Sequence, residues 1–211
     1  SENNPNEWNA ADISSVLSAL KEFHYALEQE HLPDVQEFDA SSSIPLYQKL
    51  LEITIIESKH INNREMLRTI QLNLENWSQI AKNIQLPKTI IHNDFNSRNI
   101  AIRKNGTPVF YDWELAVVDF PTRDIVEFLS FVLPLDFTKK DLVQYLGFYD
   151  KKVAQLSNDN PWFQALCYSL ENYIVTRLSF YEVAGVIMKY DFSNRVLNVA
   201  LKMLKMLRDE Y

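Results

Sequence analysis

Apolar residues recur at helical spacing along most of the chain, and the period changes in one central stretch. Ile13, Val16, Leu17, Leu20, Phe23 and Leu27 form a first stripe, with Asp12 placed to cap its start. Ser43-Ile44-Pro45 opens a second helix, with proline in the first turn where its missing N–H does no harm. Asn62-Asn63-Arg64-Glu65 has capping-box spacing ahead of Met66, Ile70, Leu74, Trp77, Ala81 and Ile84, and Pro87 ends that run. Thr89-Ile90-Ile91 then predicts a short strand leading into a polar stretch, residues 92–99. Residues 100–104 and 107–112 flank Asn105-Gly106, a strong hairpin signal. Helices return after Pro121: residues 125–133, one capped by Thr138 with Asp141, a long one from Asn160-Pro161 through Tyr181, and a last one from Ser193 through Leu207. The pattern predicts one unit over residues 1–211, mainly α with a small β-hairpin insertion.

The hairpin carries a geometric expectation. If Asn105 and Gly106 are a two-residue turn, Lys104 faces Thr107, Arg103 faces Pro108, and Asn99 faces Asp112 at the open end. Pro108 then falls in a non-hydrogen-bonded pair, where lacking an N–H costs nothing. Asn99 and Asp112 share one face, and Ile100, Ile102, Val109 and Tyr111 anchor the other in the core. Two oxygen-bearing side chains so placed suit a hard cation such as Mg²⁺, which takes one or two ligands from protein and the rest from water and phosphate. Asp94 lies on the loop entering the same corner. Taken one at a time, an Asp or Asn at a strand end is a solvated turn residue or a cap. The fixed spacing of the three is what points to a site.

Composition narrows the classes. With 46% hydrophobic and 23% charged residues among 211, the chain is an ordinary globular protein. Its longest apolar candidate, residues 128–137, is too short for a membrane span and contains Pro134 and Asp136. The net charge of −7 argues against a nucleic-acid partner and leaves room for a cationic small molecule. Cys167 is the sole cysteine, so no disulfide framework is expected, and it is read as a packed thiol rather than a nucleophile. The four histidines lack zinc-ligand spacing, and His24 and His31 are read as helix-surface or partly packed residues. The first residues have no leader pattern, and a cytoplasmic location is the expectation. Only three glycines occur, against roughly 15 at an average usage of about 7%, and none form a phosphate-cradling loop.

Residues 91–100, Ile-His-Asn-Asp-Phe-Asn-Ser-Arg-Asn-Ile, followed by Phe110-Tyr111-Asp112-Trp113-Glu114, resemble the catalytic core of the aminoglycoside phosphotransferase and choline kinase family. Its signature is H-x-D-x-x-x-x-N followed by an aspartate after a hairpin, and Leu20-Lys21-Glu22-Phe23-His24 resembles its first helix after the hinge. The resemblance implies the C-terminal, large lobe of a protein-kinase-like fold, with the catalytic loop and metal hairpin at residues 88–114. Asp94 would be the catalytic base. Asn99 and Asp112 would hold the Mg²⁺ ions that bridge the phosphates of ATP. His92 would pack the catalytic loop. Asp124 matches an aspartate that fixes the loop backbone from behind, or it is an N-cap before Ile125. Arg98 either reaches a phosphate or is solvated or paired with a carboxylate, and Glu114 either lines the acceptor pocket or is solvated.

Asn93 stands where the family often has Gly, and Ser97 where Pro is frequent; neither position is expected to carry chemistry. The strands, glycine-rich loop and lysine of an N-terminal nucleotide-binding lobe have no counterpart before residue 88. The expectation is therefore a C-terminal lobe whose partner lobe belongs to a longer polypeptide, inactive or slow by itself. The reaction implied is ATP-dependent phosphoryl transfer to a small-molecule hydroxyl. Five acids against one base in residues 110–131 (Asp112, Glu114, Asp119, Asp124 and Glu127 against Arg123) favour a cationic acceptor. The competing class is a non-catalytic kinase-like interaction or regulatory domain.

Overall fold

The computed structural model describes residues 8–27, 34–39, 43–56, 63–188 and 192–208. Nine α-helices occur among them: α1 (Ala10–Leu27), α2 (Ile44–Ile56), α3 (Arg64–Asn73), α4 (Trp77–Asn83), α5 (Thr122–Val132), α6 (Lys139–Tyr149), α7 (Pro161–Tyr173), α8 (Ser179–Met188) and α9 (Phe192–Arg208). Four three-residue strands accompany them: β1 (Thr89–Ile91), β2 (Ile100–Ile102), β3 (Pro108–Phe110) and β4 (Val117–Asp119). The chain is mainly α with small antiparallel sheets, the fold class the periodicity predicts. Where the pattern reads as one unit, the chain divides into two compact ones: Ser1–Phe38 with Leu86–Leu166, and Asp39–Gln85 with Cys167–Tyr211.

The first unit holds both sheets. β1 pairs antiparallel with β4, a strand the apolar pattern did not reveal, and β2 pairs antiparallel with β3. Helix α1 buries Ile13, Val16, Leu17 and Leu20. Its cap is Asn9, not Asp12: Asn9 Oδ1 accepts the N–H of Ala11 and Asp12, and Asp12 returns as acceptor of the Asn9 N–H. This is a capping box begun three residues earlier than expected. The box at Thr138 and Asp141 forms as predicted, and Asn160 caps α7 by accepting the Trp162 N–H. Helix α5 starts at Thr122, which puts Asp124 inside its first turn rather than at its cap.

The second unit is helical. The predicted stripe from Met66 to Ile84 is broken into α3 and α4 by a single 3₁₀ turn, Leu74–Asn76, and Asn63 makes no side-chain cap bond. Asn62 and His31 lie outside the described residues. The long helix from Pro161 contains a π-helical turn, Ile174–Leu178, before continuing as α8. Ser193 falls within α9. Burial pushes the Cys167 thiol up to about 12, with the Glu171 carboxylate adding to it, which keeps it protonated and unreactive.

The hairpin register differs from the expected one. Ile100 pairs with Phe110, Ala101 with Val109 and Ile102 with Pro108, so every partner is shifted by one. The turn has three residues, 104–106, closed by the Arg103 N–H on the Thr107 carbonyl (2.9 Å) and the Gly106 N–H on the Arg103 carbonyl (2.8 Å). Gly106 takes φ +82°, and Asn105 is not left-handed, which is a type I turn with a glycine bulge rather than a two-residue turn. Pro108 occupies a non-bonded position in either register, so it could not discriminate between them. Asn99 consequently pairs with Tyr111, whose N–H donates to the Asn99 carbonyl at 3.2 Å. Tyr111 is exposed instead of anchoring the core; Phe110 turns inward against Phe95, with ring centroids 4.8 Å apart.

Candidate active site

Residues 92–99 form a loop whose shape is imposed from behind by α5. Asp124 is fully buried, and its two carboxylate oxygens accept the backbone N–H groups of His92 (2.8 Å) and Asn93 (2.9 Å). Glu127, one turn further along the helix, accepts the Phe95 N–H at 3.2 Å. Arg123 donates from Nε to Asn93 Oδ1 at 2.8 Å while its guanidinium lies over the Phe38 ring. Burying Arg123, Asp124 and Glu127 is tolerable because each faces a partner that would otherwise be an orphaned polar group.

His24 adds a second layer. Far from being a surface residue, it is buried, donating from Nε2 to Asp124 Oδ2 (3.2 Å) with Nδ1 lying 2.9 Å from the Tyr149 hydroxyl. Sequence reasoning missed the parts played by His24, Arg123 and Glu127. Only the charged residues spaced along one face of α5, in an otherwise apolar helix, offered a signal.

Within the loop, Asn96 and Asn99 grip Asp94. Asn99 Nδ2 donates to Asp94 Oδ2 at 2.8 Å and to the Asp94 carbonyl at 2.9 Å; Asn96 Nδ2 donates to Asp94 Oδ1 at 3.1 Å. Both Asp94 groups only accept, so the amide nitrogen of Asn99 must face them and its Oδ1 is the oxygen left for a cation. Asn96 also caps the short turn Ser97–Asn99 by accepting the Arg98 N–H. Arg98 itself is exposed, its Nε reaching back to Asn96 Oδ1 at 3.4 Å.

Asp112 does not face Asn99 across the ribbon. It follows the end of β3 with φ 69° and ψ 57°, is exposed, and makes no side-chain cap bond to the turn Trp113–Leu115 behind it. Tertiary bonds bring it to the corner instead. The Tyr111 N–H is bonded to Asn99, and His92 donates from Nε2 to the Tyr111 carbonyl at 2.9 Å. His92 is buried against the Trp113 ring, 4.4 Å between centroids. Asp94, Asn99 and Asp112 thus lie on adjoining, mutually bonded segments. Among the described residues, no three His, Cys, Asp or Glu side chains converge as a metal centre. Asn99 Oδ1 and the Asp112 carboxylate are oxygen donors of the kind that a hard cation such as Mg²⁺ takes alongside water and phosphate.

The acidic surplus that favoured a cationic acceptor is mostly internal. Asp119, Asp124 and Glu127 are buried, which leaves Asp112 and Glu114 exposed. Burial pushes the Asp119 carboxyl above its ordinary value, against the pull of the Arg123 guanidinium and the Phe120 N–H. Those three acids face neighbouring groups of this chain.

The model of a phosphotransferase enzyme family matches residues 7–157. The chain belongs to that family. No curated protein sequence matches it. Among solved structures, the choline kinase LicA from Streptococcus pneumoniae is similar with a TM-score of 0.59 at 16% identity, over 95% of this chain and 64% of that one. The amicoumacin kinase hAmiN gives 0.58 at 14% identity, over 97% and 59%. An ethanolamine kinase of Plasmodium vivax gives 0.56 at 14%, over 94% and 60%. At these identities the likeness establishes the kinase-like fold. The chain spans less than two thirds of the length of each of the three.

Proposed function

We propose that this phosphotransferase-family chain is the C-terminal lobe of a small-molecule kinase that moves the γ-phosphoryl group of ATP to a hydroxyl, with Mg²⁺. The observation that carries the reading is the double grip of Asn99 on Asp94. It fixes a carboxylate and turns an amide oxygen away from it, as a base beside a metal ligand requires. Asp94 orients the acceptor hydroxyl and takes its proton at a carboxylate oxygen as the acceptor O–P bond forms and the bond from the γ-phosphorus to the bridging oxygen breaks, releasing ADP. Asn99 Oδ1 and the Asp112 carboxylate would hold Mg²⁺, which when bound neutralises charge on the nucleotide phosphates. Asp124 and His92 keep the loop and the Asp112 segment in register. In this reading Arg98, exposed at the loop's rim, would meet a phosphate and the exposed Glu114 the acceptor.

Neighbouring folds solved with AMP-PNP and Ca²⁺ and with AMP support an adenine nucleotide and a divalent cation. The partner lobe of the nucleotide cleft belongs to the same polypeptide in this reading, so residues 1–211 by themselves turn over ATP slowly or not at all. Dependence on ATP fits a cytoplasmic setting; no helix among the described residues is long and apolar enough to cross a membrane.

The test is calorimetric titration of Mg·ATP into the full-length protein, with ATP turnover measured alongside. Asp94→Asn is expected to lower turnover at least about 100-fold while Mg·ATP still binds. Asp112→Asn is expected to weaken Mg·ATP binding itself. Equal binding by wild type and Asp112→Asn overturns the metal assignment, and unchanged turnover in Asp94→Asn overturns the base, which would favour an interaction domain.

A further inference from the structure

Asn93 occupies a backbone conformation that most residues avoid, with φ 60°. Glycine adopts it freely, and asparagine is among the few side chains that tolerate it. Backbone tolerance alone accounts for a Gly-or-Asn position. It does not account for what the side chain does, because an amide merely tolerated there would point to solvent.

Instead the Asn93 side chain is buried and bonded at both ends. Its Oδ1 accepts from Arg123 Nε at 2.8 Å, and its Nδ2 donates to the Leu115 carbonyl at 3.0 Å. The orientation is unambiguous, since an arginine only donates and a carbonyl only accepts. Leu115 closes the short turn that begins immediately after Asp112. The peptide before Asp112 is held as well, through the Tyr111 carbonyl and His92 Nε2. The two residues preceding Asp94 therefore hold the two ends of the segment that carries Asp112. Asp112 itself is left-handed, exposed and without a cap bond. Within the segment Trp113 Nε1 donates to the Phe110 carbonyl at 3.2 Å, and the ties to the loop come from His92 and Asn93.

We infer that Asn93 is a positioning residue: its carboxamide rivets the 113–115 turn to α5 and so sets where the Asp112 carboxylate stands relative to Asp94. The inference rests on the proposed metal role of Asp112. It assigns a task to a position where glycine would satisfy the backbone and supply no tie.

Two variants of the full-length protein test it, read by amide hydrogen exchange and by Mn²⁺ titration followed by electron paramagnetic resonance in the presence of AMP-PNP. Asn93→Gly keeps the backbone conformation and removes both bonds. Asn93→Asp keeps a partner for Arg123 and replaces the donor to Leu115 with an acceptor. Both are expected to speed exchange at Ala116, whose N–H closes the turn on the Trp113 carbonyl. Asn93→Gly is expected to weaken Mn²⁺ binding on the order of tenfold, as loss of an outer support of a metal ligand does. Exchange at wild-type rates in Asn93→Asp overturns the rivet whether or not the glycine variant folds. Faster exchange with Mn²⁺ affinity unchanged in Asn93→Gly, while Asp112→Asn loses affinity, overturns the positioning role alone. Unchanged Mn²⁺ affinity in Asp112→Asn removes the metal reading and this inference with it.

Discussion

The loop of residues 92–99 and the hairpin that follows it are neighbours in sequence and are held by opposite means. The loop has little regular structure of its own, and the N–H groups of His92, Asn93 and Phe95 are received by Asp124 and Glu127, about thirty residues later in the chain. The hairpin is fixed by a three-residue turn and the glycine within it, and at its tip the Ser15 hydroxyl donates to the Gly106 carbonyl. One element stores its shape in a buried helix, the other in its own turn. Damage should therefore spread from the first and stay local in the second.

Replacing Asp124 gives the largest expected effect. Asp124→Ala leaves two buried N–H groups without acceptors, at about 1–3 kcal/mol each, and releases His24 as well. Urea unfolding is expected to show a markedly lower midpoint, with ATP turnover of the full-length protein lost in parallel. A midpoint at the wild-type value would break the contrast outright.

The hairpin gives a smaller and more selective effect. An added Cβ at Gly106 meets nothing within 4 Å, so Gly106→Ala costs only its left-handed backbone, about 1 kcal/mol. Asn105 Oδ1 accepts the Thr107 N–H at 3.1 Å, so the matching probe is Asn105→Ser, which keeps an acceptor there. It is expected to stay within about 0.5 kcal/mol, because Asn105 is exposed and its φ is ordinary. A two-residue turn needs both residues left-handed, so equal losses in the two variants would restore that register.

Helix α1 supplies the smallest effect. His24 reaches a carboxylate inside the protein, and Lys21, one turn earlier, reaches Asp150 at 2.7 Å near the surface. Burial alone would raise the Asp150 carboxyl, but the Lys21 ammonium, the Lys152 N–H and the Tyr25 hydroxyl together hold it below its ordinary value. A carboxyl lowered on folding stabilises above its unfolded pKa of about 3.9, and the gain disappears as pH falls through the lower folded value. Asp150→Asn is expected to lose no more than about 1 kcal/mol near pH 7 and to melt with wild type at about pH 2. A loss that persists in acid would mean that packing, not charge, is what Asp150 contributes.

The residues of the loop and its flanks were legible in the sequence because their signals are local. The Thr138 and Asp141 box, the Asn160-Pro161 start and the helical stripes each need only a few consecutive residues to be recognised. The spacing of His92, Asp94, Asn99 and Asp112 is of the same kind, and it led to the family. The hairpin register was misread because Pro108 suits both registers and the alternation has no other witness. The charge count over residues 110–131 could not show that Asp119, Asp124 and Glu127 are buried, because composition does not say which acids are inside.

What the sequence by itself determined is most of the helices, the presence of the hairpin and the order of the chemical groups, since capping, periodicity and motif spacing act over a turn or two of chain. Tertiary structure alone decided that Asp124 serves the loop and not its own helix end, that His24 stands behind it, and that the segment carrying Asp112 is bonded to the loop at Tyr111 and Leu115. Each of those outcomes depends on which buried donor finds which acceptor across tens of residues, and a buried polar group without its partner is too costly to leave to local preference.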